Sequence, residues 1–201
     1  MNLWLLIPVK PFAEGKSRLA ATLDIEERAR LSRRLLRRVL QIARESELFA
    51  GMLVVSRDPA VLREAAEAGS EVMLEHGSGL NLALHASRDR ATENGADAIL
   101  VLPSDLPLLE ASDLHRLLLA ATLSPSIAIA PSHDGGTNAL FLHPPYAIDF
   151  AFGPSSFRRH HEQATLAGMA VQVVHSPTLA FDIDWPDDLR LLESMGVPQI
   201  D

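Results

Sequence analysis

The sequence contains no cysteine, one tyrosine and two tryptophans, and only 5% of it is aromatic. Without cysteine there is no disulfide framework, thiolate metal site or cysteine nucleophile. No apolar run approaches the roughly 20 residues that span a bilayer. The apolar start, Met1 to Val9, lacks the basic leader and small-residue cleavage site of a signal peptide. A cytoplasmic protein with no membrane partner is expected. Positive charge is also scarce: 18 Lys and Arg face 26 Asp and Glu, for a formal charge of -8. That balance argues against a nucleic-acid surface, although a small basic pocket remains compatible with it. Lysine is scarcest of all. Lys10 and Lys16 are the two in the chain, and both lie in one loop. Codon bias accounts for the general preference for arginine. A need for compact ammonium charges would account for lysine persisting here.

What the chain does have is the composition of a soluble globular protein. Its 201 residues, 47% hydrophobic and 22% charged, suit one domain over residues 1–201. Leu3 to Val9 reads as a buried strand. Ile25 to Ser46 reads as a helix, with Asp24 and Glu27 placed as a capping box. Its many arginines are distributed around it, as on a solvated face. Strands follow at Met52 to Ser56, Glu71 to Leu74, Ala98 to Leu102, Ile127 to Ala130, Asn138 to Leu142 and Val171 to Val174. Helices are expected at Pro59 to Ala68, Leu80 to Asn94, Ala111 to Thr122, Ser155 to Gly168 and Pro186 to Met195. This alternation predicts a single-domain, Rossmann-like α/β fold, a mainly parallel (mixed) sheet with helices on both faces. In such sheets ligands collect beyond the carboxyl ends of the strands.

The loops at those ends are polar. The first, Lys10 to Leu19, carries Lys10, Lys16 and Arg18 around Gly15. Gly15-Lys16-Ser17 resembles the end of a P-loop, but the position five residues earlier holds Lys10 instead of glycine. Three converging cations still suit a triphosphate. The second loop, Pro103-Ser-Asp-Leu-Pro107, places Asp105 to hold a divalent cation, or else to cap the next helix, a task Ser112 or Asp113 could perform. In the third, Phe181 to Asp188, Asp182 and Asp184 alternate on one face of an extended segment and invite a cation between them. Asp187 and Asp188 suit the N-terminus of the final helix. His133 to Asn138 satisfies a hairpin turn, and Thr137 and Asn138 add a hydroxyl and an amide beyond that need. Phe152 to Phe157 opens a helix with Gly153, Ser155 and Ser156, an anion site or an N-cap. Gly77 to Leu84 could receive a base or ribose, with Gly79 and Asn81 as contacts, or be merely a flexible helix entry. Lys10, Gly15, Lys16, Gly79, Asn81 and Ser104 are therefore the nucleotide-binding candidates, with Lys16, Arg18 and Asp105 acting on the reacting phosphates. The histidines lack metal-ligand spacing.

Taken in order, Ile7-Pro-Val-Lys-Pro, Gly15-Lys-Ser-Arg-Leu19, Pro103-Ser-Asp-Leu-Pro107, Asp134-Gly-Gly-Thr-Asn138, Phe152-Gly-Pro-Ser-Ser-Phe157 and Phe181-Asp-Ile-Asp184 resemble one family. It is the 2-phospho-L-lactate or phosphoenolpyruvate guanylyltransferases of coenzyme F(420) biosynthesis. The resemblance implies a nucleotidyltransferase fold, GTP as co-substrate and Mg²⁺. It implies Asp105, Asp182 and Asp184 as metal aspartates, and Thr137, Gly153 and Ser156 as holders of the phosphorylated acid. Lys10, Arg18 and Asn81 rest on the residue-level reading alone. A phosphomonoester, with second pKa about 6, is already a nucleophile at neutral pH and needs no general base. The partners expected are GTP and a small phosphorylated acid; a homodimer and a downstream transferase that takes the product are left open. The rival readings are a molybdopterin guanylyltransferase or other nucleotidyltransferase, and a nucleotide-binding module without turnover.

Overall fold

The computed structural model describes residues 1–77, 79–120 and 125–196. Seven strands form one sheet: β1 (Leu3–Pro8), β2 (Gly51–Ser56), β3 (Glu71–Leu74), β4 (Ala98–Val101), β5 (Ser126–Pro131), β6 (Thr137–His143) and β7 (Ala170–Val173). Their order is β3-β2-β1-β4-β6-β5-β7. β6 runs antiparallel to β4 and β5, and the other pairings are parallel. The mixed sheet expected from the sequence is therefore present. The first helix, α1 (Ile25–Glu45), is followed by α2 (Pro59–Glu67), α3 (Leu80–Glu93), α4 (Ala111–Ala120), α5 (Ser156–Leu166), α6 (Pro177–Ala180) and α7 (Pro186–Ser194). The expected end of α4 at Thr122, and Ser78 of the glycine-rich loop, lie outside the described residues. Among the described residues no helix is long and apolar enough to cross a membrane.

β1 has no polar residue because both its faces are covered. Leu3, Leu5 and Ile7 pack into one buried cluster with α1, α2 and α4. Trp4 and Leu6 pack into a second with α3 and α5. α1 starts with the expected capping box, Asp24 accepting from the Glu27 amide and Glu27 from the Asp24 amide. Its arginines are not uniformly solvated. Arg28 is buried and donates to the Leu23 carbonyl, and Arg33 and Arg37 reach Glu64 of α2. Ile25, the first residue of α1, is exposed.

A third, smaller cluster joins the loop after β1 to the C-terminal part of the chain. Leu19, Leu31, Leu35, Ile183 and Leu192 pack together, which clamps a 3-10 turn (Ser17–Leu19) and the Asp182–Asp184 segment onto the first half of α1. Neither the turn nor the four-residue α6 has a sequence signature long enough to reveal a helical period.

Candidate active site

The carboxyl ends of β1, β2 and β4 open onto a cleft of about 540 Å³. Lys10, Gly15, Lys16, Gly79, Ser104, Asp105 and Asp184 line it. Of the nucleotide-binding candidates, only Asn81 is not on its wall. The Asn81 amide is instead a clasp: its Nδ2 donates to the Phe152 carbonyl at 3.2 Å, and its Oδ1 accepts from the Phe152 amide at 2.8 Å.

Lys16, Asp105 and Asp184 line the cleft, and Arg18 and Asp182 adjoin them. Lys16 Nζ donates to Asp105 Oδ2 at 2.5 Å and to Asp184 Oδ1 at 3.3 Å. Arg18 donates to Asp184 Oδ2 at 2.7 Å while its guanidinium lies 4.9 Å from the Trp185 ring centroid. The local chain explains the convergence. Ile183 is fully buried, so the alternating Asp182 and Asp184 face the other way. The Ile183 amide donates to the Asp105 carbonyl at 3.4 Å, which binds this segment to the loop after β4. Asp188 accepts from the amides of Asp184 and Trp185, the helix-end role expected of it. Lys16 has a left-handed backbone, φ 54°, an uncommon setting for a side chain with a Cβ. Gly15 before it has no room for a Cβ, which would approach Ser32 Oγ to 2.9 Å.

Asp105 had two readings, cation holder or helix cap. The cap is Asp113, whose Oδ2 accepts from the Glu110 amide and whose buried carboxylate also takes the hydroxyls of Ser176 and Thr178. The Asp105 side chain is thereby left to the cleft. Burial pushes the Lys16 ammonium down, but Asp105 and Asp184 together outweigh this and hold its pKa above the ordinary lysine value. Asp182 is raised above the usual carboxylate range, first by burial and then by the charges of Asp105 and Asp184. It accepts from Asn138 Nδ2 at 3.3 Å and has His133 Nδ1 at 3.5 Å. Among the described residues no three acidic or histidine side chains form a ready-made metal cage. The donor set nonetheless fits Mg²⁺, which takes one or two carboxylates and completes its shell with phosphate oxygens and water.

The acid-holding candidates form a separate group. Pro131 pairs with Thr137 and Ala130 with Ala139, so Asn138 is the extra residue of a β-bulge. Bulges re-aim side chains at the rim of a sheet. Here Asn138 reaches Asp182 while Thr137 reaches α5. Ser156 Oγ donates to Thr137 Oγ1 at 3.1 Å, and both side chains are buried. The Ala151 amide donates to His160 Nε2 at 2.9 Å, so a neutral His160 carries its proton on Nδ1 and donates it to Thr137 Oγ1 at 3.1 Å. Burial first, and Arg159 second, lower the His160 pKa to about 4. Gly153 has φ 122°, open to glycine, and starts the turn into α5.

The sequence reading missed Ser32, Arg57 and Glu75, which also line the cleft. Ser32 Oγ is buried without a hydrogen-bond partner. None of the three follows a glycine- or proline-marked motif, the signal used to find the rest.

Residues 3–196 match the family described as guanylyl transferase CofC like. The chain is 46% identical over 98% of its length to a phosphoenolpyruvate guanylyltransferase of Rubrobacter xylanophilus, covering 96% of that protein. It is 31% identical over 96% of its length to a 3-phospho-D-glycerate guanylyltransferase of Colwellia psychrerythraea, covering 92% of that protein. A nucleotidyl transferase from Methanothermobacter thermautotroptrophicus shares the fold, with TM-score 0.69 and 14% identity over 96% of this chain and 97% of that one. The solved structure shows the fold alone; the sequence relatives show a nucleotidyltransferase, and the chain belongs to the guanylyl transferase CofC-like family.

Proposed function

We propose that this chain, as a single domain over residues 1–201, transfers GMP from GTP to a small phosphorylated acid and releases pyrophosphate. The acceptor is phosphoenolpyruvate or 2-phospho-L-lactate, with 3-phosphoglycerate as the third candidate. The carrying observation is that Lys16, Asp105 and Asp184 converge on the wall of a cleft of about 540 Å³, with Arg18 bonded to Asp184 beside them. The names of the Rubrobacter and Colwellia relatives support the first and third acids; the sequence resemblance supports the second.

The reaction asks little covalent chemistry of the protein. A phosphate oxygen of the acid attacks the α-phosphorus of GTP in line, and pyrophosphate departs. Because the attacking group is already anionic, no general base is required. Lys16 and Arg18 turn from the carboxylates to the triphosphate as it enters, with Lys10 further out along the same wall. They neutralise charge as it moves onto the departing pyrophosphate. Asp105, Asp182 and Asp184 would hold Mg²⁺, which supplies Lewis-acid stabilisation of the phosphoryl oxygens when bound. Thr137, Ser156 and the Gly153 turn hold the acid so that its phosphate faces the α-phosphorus.

The product is an activated mixed diphosphate, suited to uptake by a downstream transferase in coenzyme F(420) biosynthesis. A cytoplasmic setting and a homodimer belong to the same proposal. Mixing the protein with GTP, Mg²⁺ and the three acids in competition, then weighing the products by mass spectrometry, tests it. One guanylylated acid should dominate. Guanylylation of a sugar phosphate or molybdopterin instead would overturn the acceptor assignment.

A further inference from the structure

The acid pocket read from the sequence offers hydroxyls and amides but no cation. The structure places one beside it. Arg159 lies in the first turn of α5, three residues after Ser156, and its guanidinium folds back over the Gly153 turn. A Cβ built on Gly153 would come within 3.3 Å of Arg159 Nη2, so the missing side chain is what lets the guanidinium lie there.

Its buried Nε has no hydrogen-bond acceptor among the described residues. Arg28, Arg33, Arg88 and Arg159 each have a buried Nε without a hydrogen-bond acceptor. Arg28 and Arg88 donate through other guanidinium nitrogens, to the Leu23 and Ile148 carbonyls, and Arg33 sits 3.4 Å from Glu64. Arg159 has no such partner among the described residues. The nearby Glu162 faces Arg158, at 3.9 Å. A half-buried guanidinium without an acceptor is unfavourable unless a ligand supplies one. Its charge is felt at His160, which hydrogen-bonds Thr137. The cation and the two hydroxyls therefore share one small region.

We propose that Arg159 recognises the carboxylate of the phosphorylated acid, deepening the functional reading above and resting on it. A planar guanidinium matches a carboxylate with two parallel hydrogen bonds, which an ammonium cannot reproduce. The site then divides its cations by task. Lys16 and Arg18 serve the triphosphate, and Arg159 serves the acid, holding its carboxylate away from the reacting phosphate. Thr137 and Ser156 complete the grip. Phosphate esters without a carboxylate are poor acceptors for this reason.

The test compares wild type with Arg159→Gln, Arg159→Ala and Arg159→Lys, using phosphoenolpyruvate, 2-phospho-L-lactate and 3-phosphoglycerate, with ethyl phosphate as the ester lacking a carboxylate. Loss of a charge-assisted pair should raise the acid KM about 30- to 100-fold in the Gln and Ala variants. The KM for GTP should stay within about twofold, since Arg159 does not line the cleft assigned to the nucleotide, and Lys should recover part of the loss. Ethyl phosphate turnover should be weak and equal in all four proteins. Should Ala impair folding, the Gln variant, which keeps much of the side-chain length and the helix propensity, decides the matter. An unchanged acid KM in Gln, or an equal loss with ethyl phosphate, overturns the proposal while the functional reading stands. Failure of the wild type to guanylylate any acid overturns both.

Discussion

Lys16 holds an ammonium in a buried position between two carboxylates, Asp105 and Asp184. Its raised pKa keeps it protonated at neutral pH. Lys16→Ala would leave that pair uncompensated and the triphosphate without its nearest cation. We expect kcat/KM for GTP to fall about 10²- to 10³-fold, by analogy with loss of a preorganised charge donor. Arg18→Ala, more exposed, should lose about tenfold by the same logic. Arg37→Ala on α1 is the control and should remain within about twofold of wild type, as a surface ion pair contributes little. Steady-state kinetics check all three, and equal losses would remove the loop from the mechanism. For the aspartates, Asp105→Asn, Asp182→Asn and Asp184→Asn should each lower turnover about 10³-fold or more with the fold intact, a ligand to the cation being worth several kcal/mol. Any variant within twofold of wild type would take that residue out of the site. His160 supplies a pH prediction. It is neutral in the fold, with pKa about 4, and an ordinary histidine near 6.5 once unfolded. The unfolded chain therefore binds the extra proton between those values, and stability falls as pH drops through that window. The contribution is roughly 3 kcal/mol, fully present above pH about 6.5 and lost by pH about 4. Urea midpoints at pH 7.5 and 4.5 for wild type and His160→Gln measure it, and identical pH slopes in the two would refute it.

The elements that aim these residues differ in how plainly the sequence announces them. α1 is announced by its capping box and apolar spacing, and β1 by an uninterrupted apolar run. Asp105, Asp182 and Asp184 could be singled out because prolines and an alternating pattern mark their loops. The bulge at Asn138 could not, since His133 to Asn138 reads equally well as a plain hairpin turn. Nor could the contact between Leu19 and Ile183, which lie far apart in sequence and meet only through α1. Asn81 shows the limit clearly. Its place after Gly77 and Gly79 suggested a nucleotide contact, yet its amide ties α3 to Phe152, next to Gly153. Asn81→Ala should therefore loosen the acid pocket more than the nucleotide cleft. We expect the acid KM to rise about five- to tenfold, with a stability loss of about 1 to 3 kcal/mol from two unpaired backbone groups. A rise confined to the KM for GTP would return Asn81 to the nucleotide.

At the scale of the whole molecule, an acidic protein of formal charge -8 binds a highly anionic nucleotide. The fold gathers Lys10, Lys16 and Arg18 in the loop after β1, and in the proposed function these cations receive the nucleotide. The alternation of strands and helices pointed to the carboxyl edge of the sheet, and a cleft opens there. The alternation did not predict the strand order, since pairing β4 with β6 depends on contacts between distant segments. The central claim is guanylyl transfer to an acid, and pyrophosphate release tests it most directly. Purified protein with Mg²⁺ should release pyrophosphate from GTP in amounts equal to the acid consumed. It should release almost none without acid, and much less from ATP or CTP. Release that ignores the acid, or that runs equally well from every nucleotide, would contradict the account.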